Sequence, residues 1–369
     1  MLTFLLPYDI IAPKGKDSIM KKALSIILII SILSVIIFSV NVSGEGRTKY
    51  FGCLIFTEYD TYCKLTGCHN NAFGSVIIPS EVEFDGKLLP VTAIGSYAFV
   101  ECEYIEYVTD ITIPDSVTTI EEKAFYGCTG LKTVEMPGSV ISIGFKAFEN
   151  CDSLIYNENG GCLYLGNENN PYLALISAKD ASITGAVINE KTRVIAGGAF
   201  LNCSDLKSAS VPYGVTSICE FAFSGCGSLA DVEIPDSVTV IGDSAFSQCS
   251  AVTSVIIPES VTEIGPYAFY GCGSLKTVYF KGSAEQWRGI NISDYGNGEL
   301  AAAGVVFNYT GNKPGDMNGD GAADNKDVVL LFRYVSFDLG YDPAYDFDGD
   351  GEVNNKDVVA LFRSVSAAK

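Results

Sequence analysis

Ile257-Pro258-Glu259-Ser260-Val261-Thr262-Glu263-Ile264-Gly265-Pro266-Tyr267-Ala268-Phe269-Tyr270-Gly271-Cys272-Gly273-Ser274-Leu275-Lys276-Thr277-Val278 is one copy of a pattern, IPxSVxxIGxxAFxxCxxLxxV, that recurs between residues 94 and 280. Its Ala-Phe pair returns with Phe99, Phe125, Phe148, Phe200, Phe223, Phe246 and Phe269. Four of the six spacings are 23 residues, one is 26 and one is 52. Each Phe is followed three residues later by a cysteine: Cys102, Cys128, Cys151, Cys203, Cys226, Cys249 and Cys272. Pro114, Pro137, Pro212, Pro235 and Pro258 mark a common point in their copies. A fixed period in the twenties belongs to repeats that cannot bury their own apolar faces and must stack into a solenoid.

One copy can be read as one turn. Leu275-Lys276-Thr277-Val278-Tyr279-Phe280 alternates as a short strand does. Pro258 and its equivalents end the strand, because proline cannot donate to a ladder. Gly242 and Gly265 are expected to permit a tight turn. Ala-Phe and the cysteine form the opposite wall, with Phe in the core, and stacked strands should lie about 4.8 Å apart. These residues resemble the BspA-like leucine-rich repeat family of bacterial surface and secreted proteins. The resemblance implies an α/β fold, a solenoid of short strands plus short helical turns over residues 91–310 behind an N-terminal cap at 45–90.

The 52-residue gap holds Cys162-Leu163-Tyr164-Leu165, a Gly166–Pro171 turn and Tyr172-Leu173-Ala174-Leu175, which read as strand, turn and strand. A hairpin inserted into one turn, at about 154–187, is expected there, with the solenoid resuming near Ile188. From about Ser283 to Tyr309 the pattern is lost, and this stretch is expected to cap the open end with Trp287, the sole tryptophan, as a plug.

Twelve cysteines in an exported chain first point to disulfides. Seven in equivalent stacked positions cannot all pair, so they read as a buried column of small apolar thiols. No CxxC or histidine pairing accompanies them, which argues against metal. Of Cys53, Cys63, Cys68, Cys162 and Cys219, the pair Cys63 and Cys68 is a candidate bridge in the cap.

A second repeat closes the chain. Asp316-x-Asn318-x-Asp320-Gly321 ends at Asp327, and Asp346-x-Asp348-x-Asp350-Gly351 ends at Asp357, thirty residues later. Carboxylates at alternate positions with glycine at the sixth suit a calcium loop. No helix starts in Gly311-Asn312-Lys313-Pro314-Gly315, whereas an apolar stripe follows each loop: Val328, Leu331, Phe332, Val335, then Val358, Leu361, Phe362, Val365. This loop-then-helix duplicate, about Gly315–Ser366, resembles a type I dockerin, a small all-α module that docks on a cohesin of a cellulosome scaffoldin. Ala323 departs from the branched apolar residue usual there. The resemblance implies two calcium ions, held by Asp316, Asn318, Asp320, Ala322 (carbonyl), Asp324 and Asp327, and by Asp346, Asp348, Asp350, Glu352 (carbonyl), Asn354 and Asp357. It implies a cohesin face of Asn325, Lys326, Val329 and Arg333, duplicated as Asn355, Lys356, Val359 and Arg363. Residues 311–315 form the linker and 316–369 the module. From Lys313 onward eleven acids face six bases, a net of −5. So small and self-repelling a segment is expected to need the metal to fold.

Lys21-Lys22, an apolar run Ala23–Val40 and small residues at Val42-Ser43-Gly44 read as a secretory signal cleaved near Gly44, with Met20 the more natural start; an uncleaved anchor is the alternative. Net charge −20 argues against nucleic acid. His69 is the only histidine, and it lies in the cap rather than on a repeat face. Asp231 and Glu233 are a weak acid pair on a polar strand surface that shows no aromatic stripe. The expectation is a non-catalytic secreted binding protein on an extracellular cellulosome, its solenoid meeting a protein or glycan. The alternatives are a cellulosomal polysaccharide-degrading component or a surface adhesin.

Overall fold

The computed structural model describes residues 39–40, 47–69, 72–102, 104–309, 328, 331 and 354–367. Within them the chain winds as a β-solenoid of stacked coils with few helices. Each coil carries two short strands. One follows the Cys-x-x-Leu step, as in Ser208–Ser210, Asp231–Glu233, Ser254–Ile257 and Thr277–Phe280, of which the last three pair in parallel down one ladder. The other ends on the repeated isoleucine, as in Val194–Ile195, Ser217–Ile218, Val240–Ile241 and Glu263–Ile264, again in parallel register. The repeated prolines come directly after the first ladder, as their missing N–H requires.

The turns are not helical, which corrects the expectation of short helical turns. Two residues per turn are left-handed. Tyr97, Lys123, Lys146, Phe221, Ser244 and Tyr267 have φ between 51 and 58°. Four residues after Lys123, Lys146, Phe221, Ser244 and Tyr267, the residues Gly127, Asn150, Gly225, Gln248 and Gly271 have φ between 60 and 78°, and Gly198 and Asn202 form the same pair at 76 and 59°. Left-handed residues prevent the i to i−4 bonding of an α-helix. The freed N–H groups bond to the next coil instead: Phe200 to the Ala222 carbonyl at 2.7 Å, Phe223 to Ala245 at 2.7 Å and Phe246 to Ala268 at 2.8 Å. A third intercoil ladder therefore runs along the turn corner. Gly242 and Gly265 are required by close approach rather than by φ: a Cβ on them would lie 2.7 Å from Glu220 N and 2.8 Å from Asp243 N of the preceding coil.

The core follows from this stacking. Phe99, Phe125 and Phe148 stack with 5.0 Å between ring centroids, and Phe200, Phe223, Phe246 and Phe269 with 5.0, 5.2 and 5.4 Å. The seven rings are buried. Between Phe148 and Phe200 the column breaks. The inserted segment is a three-stranded meander, Asn157–Asn159, Cys162–Leu165 and Ala174–Ala178, whose last strand pairs with Val194–Ile195. The first of these strands was not expected. Gly185–Val187 already pairs with Ser208–Ser210, so the solenoid resumes slightly before Ile188.

At the front, Thr48–Phe51, Leu54–Glu58 and Cys63–Cys68 form an antiparallel meander, and the last strand joins Lys87–Ile94 in parallel. Asp85 and Gly86, both left-handed, make the tight turn between Glu81–Phe84 and Lys87–Ile94. Ser39–Val40, at the end of the apolar run, pairs with Lys49 and Thr48; the remainder of the stretch expected to be a signal lies outside the described residues. Among the described residues no helix is long and apolar enough to cross a membrane.

At the back, the stretch from Ser283 keeps the coil although its sequence has lost the repeat. Asn291–Ile292 and Gly304–Val306 extend both strand ladders. Ser283 and Gln286 form a capping box on the helix Ala284–Gly289. Trp287 packs edge-on to Phe280 at 5.1 Å, as a plug should. Asn297 ends the turn ladder: its Oδ1 accepts from Phe269 N at 3.3 Å, while its Nδ2 donates to Gly265 and Ser293 carbonyls at 3.0 and 2.9 Å.

Candidate functional site

The C-terminal helix Asn355–Ala367 begins at a reciprocal cap. Asn354 Oδ1 accepts from Lys356 N at 2.8 Å, and Asp357 Oδ2 accepts from Asn354 N at 2.7 Å. Asp357 is fully buried, with its carboxylate in the helix's first turn, where the backbone dipole favours an anion. The residue expected to close the second calcium loop is thus also the residue that starts its helix. Asn354 and Asp357 are oxygen donors of the kind a calcium ion takes. Asp316, Asn318, Asp320, Ala322, Asp324, Asp327, Asp346, Asp348, Asp350 and Glu352 lie outside the described residues.

On the same helix Asn355, Lys356, Val359 and Arg363 are exposed and line one shallow groove of about 460 Å³ together with Ala360. The structure therefore brings these four together on one face. Their counterparts Asn325, Lys326, Val329 and Arg333 lie outside the described residues. Leu331 and Leu361, equivalent in the two copies, are both buried. Phe362, expected in the inward stripe, is 53 % exposed. It lies about 100° around the helix from Leu361, at the edge of the buried line set by Asp357 and Leu361.

The solenoid offers two further surfaces. Phe73, Tyr104 and Tyr107 are exposed beside one another, with ring centroids 5.8, 6.2 and 6.3 Å apart. These rings lie outside the strand positions that were read as showing no aromatic stripe. Phe73 precedes the first repeat, while Tyr104 caps and Tyr107 ends the 3-10 turn Ile105–Tyr107 inside the one 26-residue spacing. That irregular spacing was the signal. Nearby, the Asp110 carboxyl is held below the usual carboxylate range by hydrogen bonds from Thr133, Thr109 and Ser75. Glu233 is exposed on its strand.

A cleft of about 960 Å³ opens where the insertion separates the two runs of coils. Phe145 closes one side, its ring 4.9 Å from that of Phe221 and its N–H donating to Glu220 Oε1 at 2.5 Å. Asp243, Tyr267 and Tyr295 line the other, and burial raises the Asp243 carboxyl. Nothing in a single repeat reveals this cleft, because its walls come from both runs of coils.

All twelve cysteines are free thiols, so Cys63 and Cys68 are not bridged. Cys63 instead points its thiol at the Leu89 carbonyl, 3.5 Å away. The column thiols are buried, as expected, and four of them make the same contact with the coil before. Cys151, Cys226, Cys249 and Cys272 donate to the carbonyls of Phe125, Phe200, Phe223 and Phe246 at 3.1–3.2 Å. Burial raises the thiols of Cys226 and Cys272 to about 12 and that of Cys203 to about 11. Among the described residues no group of three or more His, Cys, Asp or Glu side chains is placed to hold a metal ion.

Several solved structures are similar. A leucine-rich cell surface protein of Faecalibacterium prausnitzii is 22 % identical, covers 68 % of this chain and 99 % of its own, and superposes with a TM-score of 0.34. A leucine-rich repeat protein of Bacteroides ovatus is 24 % identical over 74 % of this chain and 70 % of its own, with a TM-score of 0.30. The leucine-rich repeat protein of T. pallidum is 23 % identical over 82 % and 96 %, with a TM-score of 0.28. No curated protein matches the chain. The BspA type leucine rich repeat region matches in six copies, across residues 92–159 and 178–290. Those residues are the coils with the Ala-Phe turn and the phenylalanine column, and over them the chain matches the BspA-type leucine-rich repeat family.

Proposed function

We propose that this chain is a non-catalytic, exported binding protein, held on a cellulosome-type scaffold by a calcium-dependent dockerin–cohesin contact. Its solenoid is the recognition surface for a protein or glycan. The observation that carries the reading is the twelve-residue loop written twice in register, Asp316 to Asp327 and Asp346 to Asp357. Asp357 supports it, buried at the start of the helix that presents Asn355, Lys356, Val359 and Arg363. Bound calcium would supply positive charge at each loop, offsetting the acidic excess of the segment. The chain's own residues position the helix: Asn354 and Asp357 cap it, and Leu361 anchors it.

Full-length protein, passed over an immobilised type I cohesin, should be retained in calcium and released by a chelator. Chelation should also reduce the helical circular dichroism of the C-terminal module. Retention that is indifferent to the chelator, or no retention in calcium, would reject the attachment role. For the solenoid, the exposed Phe73–Tyr104–Tyr107 group favours glycan contact, since aromatic faces present apolar area beside polar edges. A glycan array probed with the whole protein tests this. Turnover of any arrayed glycan would overturn the non-catalytic reading.

A further inference from the structure

The N-terminal cap and the first coil bring three thiols together. Cys53 and Cys68 lie at the same end of the paired strands Leu54–Glu58 and Cys63–Cys68: Leu54 stands opposite Cys68, and His69 N donates to the Cys53 carbonyl at 2.6 Å. Cys102 reaches the same point from the first coil. The thiols of Cys68 and Cys102 both point at the His69 carbonyl, at 3.7 and 3.9 Å. Cys68 thus stands between Cys53, which adjoins its strand partner Leu54, and Cys102, which shares the His69 carbonyl with it. Cys102 heads the cysteine column, with no earlier repeat phenylalanine behind it to accept its thiol. Cys63 is turned away toward the Leu89 and Pro90 carbonyls.

We propose that Cys53, Cys68 and Cys102 form an oxidisable thiol relay, in which Cys68 closes a disulfide with either neighbour. The oxidant is a small-molecule disulfide. Cys53, only half-buried, is the point of entry. The hydrogen bond from Cys68 lowers the Cys53 thiol to about 7, so it supplies thiolate near neutral pH. The Cys53 thiolate attacks one sulfur of the reagent, and one thiolate leaves. Cys68 then attacks the mixed disulfide at the Cys53 sulfur, and the second thiolate departs with the Cys68 proton. Two protein thiols are oxidised and one reagent disulfide is reduced to two thiols. Cys102 can next attack the Cys68 sulfur and displace Cys53, which takes the Cys102 proton. The first bridge ties the cap hairpin to itself, and the second ties the cap to the first coil.

The test is oxidation of the folded full-length protein with oxidised glutathione, alkylation of remaining thiols under denaturant, and peptide mapping by mass spectrometry. The expected product links the Cys68 peptide to that of Cys53 or Cys102. Cys53→Ser, which removes the point of entry, should leave both bridges unformed, and Cys102→Ser should leave only the bridge to Cys53. Cys68→Ser should abolish both and retain glutathione on Cys53. Alkylation of every cysteine after oxidation, a bridge that uses Cys63, or glutathione that persists on Cys53 of the wild-type protein would overturn the proposal. The wild-type map decides it even if a variant folds poorly.

Discussion

The thiol of Cys249 donates to the carbonyl of Phe223, one coil back, at 3.1 Å. The same contact recurs at Cys226 and Cys272. It explains why a cysteine, rather than an alanine or valine, fills that corner: the side chain is small and apolar enough for the core, yet it offers a weak donor to a buried carbonyl. Cys249→Ala should therefore lose both packing and the donor. The expected loss is about 1–2 kcal/mol. It should appear as a lower urea midpoint with an unchanged slope, and an unchanged midpoint would show that the thiol contributes nothing there.

The column thiols also set an alkaline limit. Burial raises Cys203 to about 11 and Cys226 and Cys272 to about 12, above the ordinary thiol value of 9.0. Because the folded values are raised, the native state holds more protons than the unfolded chain between those limits. The associated stability is complete below pH 9.0 and is lost as pH rises through 11–12. Urea midpoints measured from pH 8 to 11 should fall on the alkaline side. At pH 8 a thiol reagent should label Cys53 quickly and these column cysteines only after unfolding.

Asn297 stands in for a coil that is not there. Its side chain takes the Phe269 N–H, which in earlier turns goes to the alanine carbonyl of the next coil. Asn297→Ala would leave that N–H and the Gly265 carbonyl without this partner inside the cap. A loss of about 2–3 kcal/mol is expected. Amide hydrogen exchange at Phe269 should speed up before that at Phe223, which lies deeper in the stack.

How far the fold was legible depended on which residues carried it. The phenylalanine and cysteine columns announce the coil at once, because each occupies one position at a fixed period. The left-handed residue two before each Phe does not. It is Tyr97, Lys123, Lys146, Gly198, Phe221, Ser244 or Tyr267, with glycine only once, so the backbone demand is hidden by unrelated side chains. Nothing at this position therefore opposed the helical turns that the family resemblance implied. The terminal coil was illegible for a different reason: Asn297 replaces backbone partners with a side chain, and no repeat residue is needed. At the C-terminus the loop spacing and helix face were readable, whereas the aromatic group at Phe73 required the fold to bring residues from outside the repeat together. The backbone demand itself is testable. Ser244→Gly relieves a left-handed residue and should raise stability by up to ~1 kcal/mol. Gly225→Ala should lower it by about 1–2 kcal/mol, since φ is +78° and the new Cβ would lie 2.4 Å from Asn202 Oδ1.

The last prediction concerns the duplicated helix face. Asn355, Lys356, Val359 and Arg363 share one exposed groove, and Asn325, Lys326, Val329 and Arg333 repeat the same residue types thirty positions earlier. If a cohesin reads this surface, two orientations related by a half turn present it with equal chemistry. Lys356→Glu combined with Arg363→Glu removes one orientation and leaves the other. Affinity in calcium should then fall by little more than the statistical loss of one of two equivalent modes. The same change at Lys326 and Arg333 should do no more. Introducing both pairs together should abolish binding, because each mode then presents two reversed charges. Titration calorimetry of the three variants against one cohesin separates the cases. A full loss from either pair alone would mean that only one helix docks. Undiminished binding after both would mean that this face is solvated and the contact lies elsewhere.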